Sequence, residues 1–272
     1  MQEIIIAPRA LLSHDNPKVA KGVKYGYLTS IMHFLPAEES GKNVCSHASP
    51  ACKKTCLNES GYGGFNQTIK TARLRRTRLF FYMRKLFFEQ LHHETRRAIF
   101  RAESHGLKPC FRLNGTSDIA WEAFRPFDGK NIFEAFPQVQ FYDYTKNPTR
   151  FNKELPENYY LLFSRDETNE AKARELLARG VNVAVVFDKA LPKTYMGSRV
   201  INGDISDLRF LDGTDKNGRG LVVGLIYKRL TARGARDRNA YALRSGFVVP
   251  TKVVRGKVVA CDVQPKLCAA TV

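Results

Sequence analysis

Apolar positions fall into short runs separated by polar stretches that carry glycine and proline. Runs of strand length lie at residues 25–34, 109–113, 139–144, 159–164, 181–187 and 221–227. Between 68 and 104 the spacing changes. Leu79, Met83, Leu86 or Phe87, and Leu91 recur at helical intervals. This predicts one long helix, with room for a kink, that Gly106 stops. Shorter helices are predicted at 121–124, 131–136 and 168–179, the last stopped by Gly180. Strands alternating with helices at this spacing predict βα units around a mostly parallel sheet. Five or six such units predict a partial TIM-type (β/α)6-like barrel, an α/β fold in which residues 1–272 form a single domain. The glycines at 61–64 read as a flexible breaker. From about 228 the character changes to a basic C-terminal extension, either loop or helix.

Composition adds a partner to this outline. The chain has 272 residues, 43% hydrophobic and 11% aromatic, so a folded core is expected and wholesale disorder is excluded. Lys and Arg number 44 against 26 Asp and Glu, a net charge of +18. Such an excess predicts a polyanionic partner, nucleic acid or a nucleotide. The candidate contacts are Arg73, Arg75, Arg76 and Arg78 on the long helix, and Arg233, Arg236 and Arg238 in the extension. The competing reading of these arginines is a solvated face. No apolar run approaches the ~20 residues that cross a bilayer, and the first residues do not have the pattern of a secretory signal. No membrane partner is expected, and the expected compartment is the cytoplasm, which is reducing. Cysteines there serve as thiols or metal ligands more often than as disulfides.

Three of the six cysteines, Cys45, Cys52 and Cys56, lie within twelve residues at the spacing C-x6-C-x3-C. Thiolates are soft ligands suited to iron–sulfur clusters or zinc, and Lys53 and Lys54 would favour the deprotonated form. With His47 as a fourth donor the set would suit a closed zinc site. With three donors alone, one iron of a [4Fe–4S] cluster would stay open to a small molecule. Thiols without metal are the third possibility. Cys110 lies inside a predicted strand and reads as core, and Cys261 and Cys268 read as unliganded thiols.

In α/β barrels functional groups gather at the C-terminal ends of strands. Here those positions hold Asn114, Ser117 and Asp118, then Asp143, Thr145 and Lys146, then Ser164 and Arg165. Each alone is ordinary turn chemistry. Together they put amide, hydroxyl, carboxylate and cationic groups around one barrel mouth. The first three suit an amino acid or ribose moiety, and Lys146 and Arg165 suit a carboxylate or phosphate. Asp118, Asp143, Asp204 and Asp207 also admit a metal-dependent hydrolase.

The segments NVCSHASPACKKTCLN, FRLNGTSDIAWE, FYDYTKNP, LLFSRDE and GDISDLRFLD, followed by GLIYK, together resemble the phage family named for gene product eighty-eight of a mycobacteriophage. The resemblance runs from about 25 to 228 and implies a phage protein acting in the infected host cell. More distantly, the plan is similar to that of radical S-adenosylmethionine enzymes, although their usual cysteine spacing is C-x3-C-x2-C. That likeness implies a [4Fe–4S] cluster on Cys45, Cys52 and Cys56, S-adenosylmethionine on its open iron, and residues 114–118 near the methionine end. The reaction it implies is radical chemistry on a nucleic acid or nucleotide. The alternative is a non-catalytic nucleic-acid-binding protein with a structural zinc or cluster.

Overall fold

The computed structural model describes residues 5–14, 20–60, 66–230 and 234–261. Arg233, Cys268 and the 61–64 breaker lie outside the described residues. In chain order the elements are β1 (Leu12–Ser13), β2 (Tyr27–Met32), α1 (Pro50–Lys54), α2 (Gln67–Tyr82), α3 (Arg84–Ser104), β3 (Lys108–Arg112), α4 (Ile132–Ala135), β4 (Gln140–Thr145) and β5 (Tyr159–Ser164). Then follow α5 (Glu170–Ala178), β6 (Val183–Phe187), β7 (Thr194–Tyr195), β8 (Ser198–Asn202), β9 (Val222–Ile226), α6 (Ala235–Arg244), β10 (Thr251–Val254) and β11 (Lys257–Ala260). Two compact units divide the chain: 1–47, 66–161 and 206–209 form unit 1, and 48–65, 162–205 and 210–272 form unit 2. The first half of β5 belongs to unit 1 and the second half to unit 2.

In unit 1 the strands pair in the order β1-β2-β3-β4-β5. β1 runs antiparallel to β2. β2, β3 and β4 are parallel, with Thr29 opposite Cys110 and Ile31 opposite Arg112, then Phe111 opposite Phe141. Side chains alternate across a strand, so the sheet has two unlike faces. Met32, Phe111 and Phe141 join the core with Leu79, Phe87 and Leu91 of α2 and α3 and with Ile132 and Phe133 of α4. Trp121 is at its centre, stacked on Phe87 at 6.1 Å and on Phe34 at 6.1 Å. Cys110, Arg112 and Tyr142 point to the opposite face.

The long predicted helix is two helices that break at Met83 (φ −131°, ψ 56°). At the break the Phe80 carbonyl accepts from Arg84 Nε at 2.7 Å. A side chain thus takes the place of the backbone donor that a continuous helix would supply. The guanidinium also lies 4.1 Å from the Phe80 ring centroid.

In unit 2 the order is β5-β6-β9-β8-β7. β6 pairs in parallel with β5 and β9, and β8 in parallel with β9, while β7 turns back antiparallel on β8. β6 reads Val-Ala-Val-Val-Phe because a central parallel strand is covered on both sides. β10 and β11 form a separate antiparallel hairpin. The expectation of an α/β fold with a mostly parallel sheet is met. The strand pairs close no ring among the described residues.

Candidate functional site

The polar groups after β3 and β4 are brought together, chiefly with one another. Asn114 is buried. Its Oδ1 accepts from Ser117 Oγ (2.8 Å), Ile119 N (3.0 Å) and Trp121 Nε1 (3.2 Å). Its own N and Nδ2 donate to Asp143 at 2.7 and 3.2 Å. Tyr159 also donates to Asp143, at 3.2 Å. Burial pushes the Asp143 carboxyl up to about 7, against the pull of the Asn114 amide and of Arg112 and Arg150. Asp118 accepts from Lys146 N at 2.8 Å and lies 3.4 Å from Arg150, which also holds Glu122 through two contacts of 2.7 Å. Thr145 is buried and accepts from Asn147 N. Five of the predicted strand-end residues (Asn114, Ser117, Asp118, Asp143 and Thr145) and the Lys146 backbone thus build a buried scaffold for the loops.

The face of the unit 1 sheet turned away from α2 and α3 carries a second cluster. Arg112 Nη1 donates to Asp207 at 2.8 Å, and the hydroxyls of Tyr142 and Tyr144 donate to the same carboxylate at 3.1 and 3.2 Å. The guanidinium lies 4.4 Å from the Tyr144 ring centroid. Burial works against the Arg112 charge, but Asp207 and the phenols outweigh it and hold its pKa above the ordinary value. Burial and Asp207 push both tyrosines up, and burial pushes the Cys110 thiol up. Phenols and thiol therefore keep their protons at neutral pH. The cluster can offer hydrogen bonds and a positive charge, but no thiolate or phenolate nucleophile. Strand alternation could have flagged Arg112, a charge within Pro-Cys-Phe-Arg-Leu. Nothing in the sequence pairs it with Asp207, 95 residues away.

Of the predicted cysteine ligands, Cys45 lies in unit 1 and Cys52 and Cys56 lie in unit 2. All three are half-buried. Cys45 Sγ donates to the Thr116 carbonyl at 3.7 Å, and Cys56 Sγ accepts from Asn58 N at 3.5 Å. Cys52 sits on α1, whose N-terminus Glu167 clamps through Ser49 Oγ (2.8 Å) and Ala51 N (2.9 Å). Unit 2 also fastens this segment to α6, where Lys54 lies 4.4 Å from the Tyr241 ring centroid and Arg238 pairs with Glu59. Among the described residues no group of three or more His, Cys, Asp or Glu is placed to hold a metal ion. The donor chemistry suits a soft metal. Asp118, Asp143, Asp204 and Asp207, whose carboxylates suit harder cations, likewise form no such group among the described residues.

The remaining candidates divide by what they touch. Arg165 is buried and bonds the Gly246 carbonyl and Glu170, and the Ser164 carbonyl accepts from Asn169. Arg76 donates to the Ala10 and His33 carbonyls, so it serves the packing of unit 1. Arg73 and Arg78 are half-buried, whereas Arg75 and Arg236 are exposed. No helix among the described residues is long and apolar enough to cross a membrane.

A family model, Gene product 88, matches residues 10–246. No curated protein matches the chain, and no solved structure does.

Proposed function

The chain belongs to the Gene product 88 family, and we propose that it binds nucleic acid through the basic surface of residues 228–261. One observation carries this reading. Lys228, Arg236, Arg244, Lys252, Arg255 and Lys257 are all exposed, and Asp237 is the only carboxylate residue in that stretch. Arg229 and Arg238 of the same stretch pair with Asp188 and Glu59; the six exposed cations, with one carboxylate among them along the chain, suit a phosphate backbone. Each phosphate they neutralise releases counterions and makes binding salt-dependent. The test is fluorescence anisotropy of the full chain with labelled nucleic acid over a salt series. A steep fall in affinity with salt is expected. No binding at low salt, or binding indifferent to salt, overturns the proposal.

A second reading keeps the three cysteines as ligands of a [4Fe–4S] cluster or zinc, in a partial-barrel frame similar to that of radical S-adenosylmethionine proteins. Its support is topological. The parallel strands of unit 1 pair in chain order without reversal, and α2, α3 and α4 all join the core on one face. A doubly wound sheet would reverse its order and cover both faces. Iron, sulfide and zinc analysis of anaerobically purified protein decides this reading. About four irons and four sulfides per chain favour the cluster, one zinc favours a structural site, and no metal rejects both.

A further inference from the structure

The hairpin β10–β11 is a two-stranded sheet separate from the other strands. Its register runs from Thr251 opposite Ala260 to Val254 opposite Lys257. It closes on Arg255 and Gly256, both at positive φ (49° and 74°). Positive φ at both central residues is the two-residue turn whose twist matches a hairpin. Directly opposed residues share a face. Lys252, Val254, Lys257 and Val259 therefore lie on one side, and Thr251, Val253, Val258 and Ala260 on the other. On the first side both lysines are exposed, with Val254 between them 42% exposed and Arg255 exposed at the tip. Val253, on the second side, is 70% exposed. Residues 251–261 hold no carboxylate.

A ribbon that shows lysines, arginine and bare valines to solvent has the chemistry of a groove reader. Cations meet phosphates, and small apolar groups meet base edges. Resting on the nucleic-acid reading above, we propose that β10–β11 enters the major groove of duplex DNA, with Lys252, Arg255 and Lys257 on the phosphates and Val254 toward the base edges. The B-form major groove, about 12 Å wide, admits a two-stranded ribbon, and thymine offers a methyl group there for apolar contact. The major groove of duplex RNA is too narrow and deep for this.

The experiment uses the full chain and a labelled DNA duplex over a salt series, beside an RNA duplex and a single strand. In the triple variant Lys252→Gln, Arg255→Gln, Lys257→Gln, the slope of log affinity against log salt falls by about 2.7, the value for three lost phosphate contacts. Removing the same charge from α3 (Lys85→Gln, Arg97→Gln, Arg101→Gln) leaves the slope as it was. Methylation of guanine N7 is blocked by the unaltered protein, a readout that needs no variant to fold. Wild-type binding with an unchanged slope in the ribbon variant overturns the ribbon and leaves the binding reading standing. Equal binding to RNA duplex or single strand, or unprotected N7, overturns the groove. No salt-dependent binding by the wild type overturns the reading beneath it.

Discussion

Glu167 holds the helix that carries Cys52: its carboxylate accepts from Ser49 Oγ at 2.8 Å and from Ala51 N at 2.9 Å. A carboxylate at a helix N-terminus meets unpaired amide donors and the favourable end of the helix dipole. Ser49 itself caps the helix by accepting from Cys52 N at 3.2 Å.

Replacing Glu167 by Ala removes both contacts, each a hydrogen bond to a charged group. The expected loss is about 1.5–3 kcal/mol per bond if the segment stays in place, and less if it opens. Opening shows as faster reaction of Cys52 and Cys56 with a thiol reagent. Unchanged labelling rates would mean the clamp does not hold the segment. Glu167→Gln retains one acceptor and falls between Ala and the wild type.

Asn114→Ala leaves the Trp121 indole N–H and the Ile119 amide without their acceptor inside the fold. Each orphaned buried donor costs about 1–3 kcal/mol, so a loss of several kcal/mol is expected in the denaturant midpoint. Asn114→Asp keeps an acceptor but sets a second carboxylate against Asp143. Its stability should therefore fall more steeply with rising pH than that of the wild type.

Asp143 gives the pH dependence its sign. Its carboxyl is raised from 3.8 to about 7, first by burial. Between those values the folded protein keeps a proton that the unfolded chain has released. The stability this group contributes is full below about 3.8 and is lost as pH rises through about 7. Asp143→Asn should be less stable at every pH, because it disturbs the bonds from Asn114 and Tyr159, yet flatter between pH 4 and 7. A difference between the two proteins that does not change over that range would refute the assignment.

Arg150 is the cation of the scaffold, its side chain 4% exposed, between Glu122, Asp118 and the Tyr159 hydroxyl. Burial opposes its charge, but Tyr159 and Glu122 outweigh that and hold its pKa above the ordinary value. Arg150→Met leaves the partly buried carboxylates uncompensated, a cost of about 3–5 kcal/mol. Arg150→Lys keeps the charge but loses the two-pronged contact with Glu122 and should fall between. Thermal melts at neutral pH measure both.

Gly115 shows how a residue can be legible and its reason hidden. In the sequence, Asn-Gly after a strand reads as turn chemistry. In the fold, a Cβ at Gly115 would lie 2.5 Å from the Met32 carbonyl, which the Gly115 amide meets at 2.9 Å. The glycine is there because the loop after β3 lies against the end of β2. Likewise, the run of arginines on α2 reads as one basic face, but Arg76 is turned inward onto the Ala10 and His33 carbonyls. Charge is visible in a sequence, whereas the partner of a charge depends on which distant backbone it meets.

The sequence by itself determined the alternation of strand and helix, the start of every parallel strand but β8 to within a few residues, the excess of positive charge and the family. These follow from local periodicity, composition and motif, all of which are written along the chain. Only the tertiary structure decided that Asn114 and Asp143 satisfy each other, that Asp207 collects Arg112, Tyr142 and Tyr144, and that residues 251–260 form a hairpin with Lys252, Arg255 and Lys257 exposed. It also decided that the long helix breaks at Met83, where a side chain takes over a backbone bond. The first two are pairings across the fold, where a buried polar group accepts whichever partner packing brings to it.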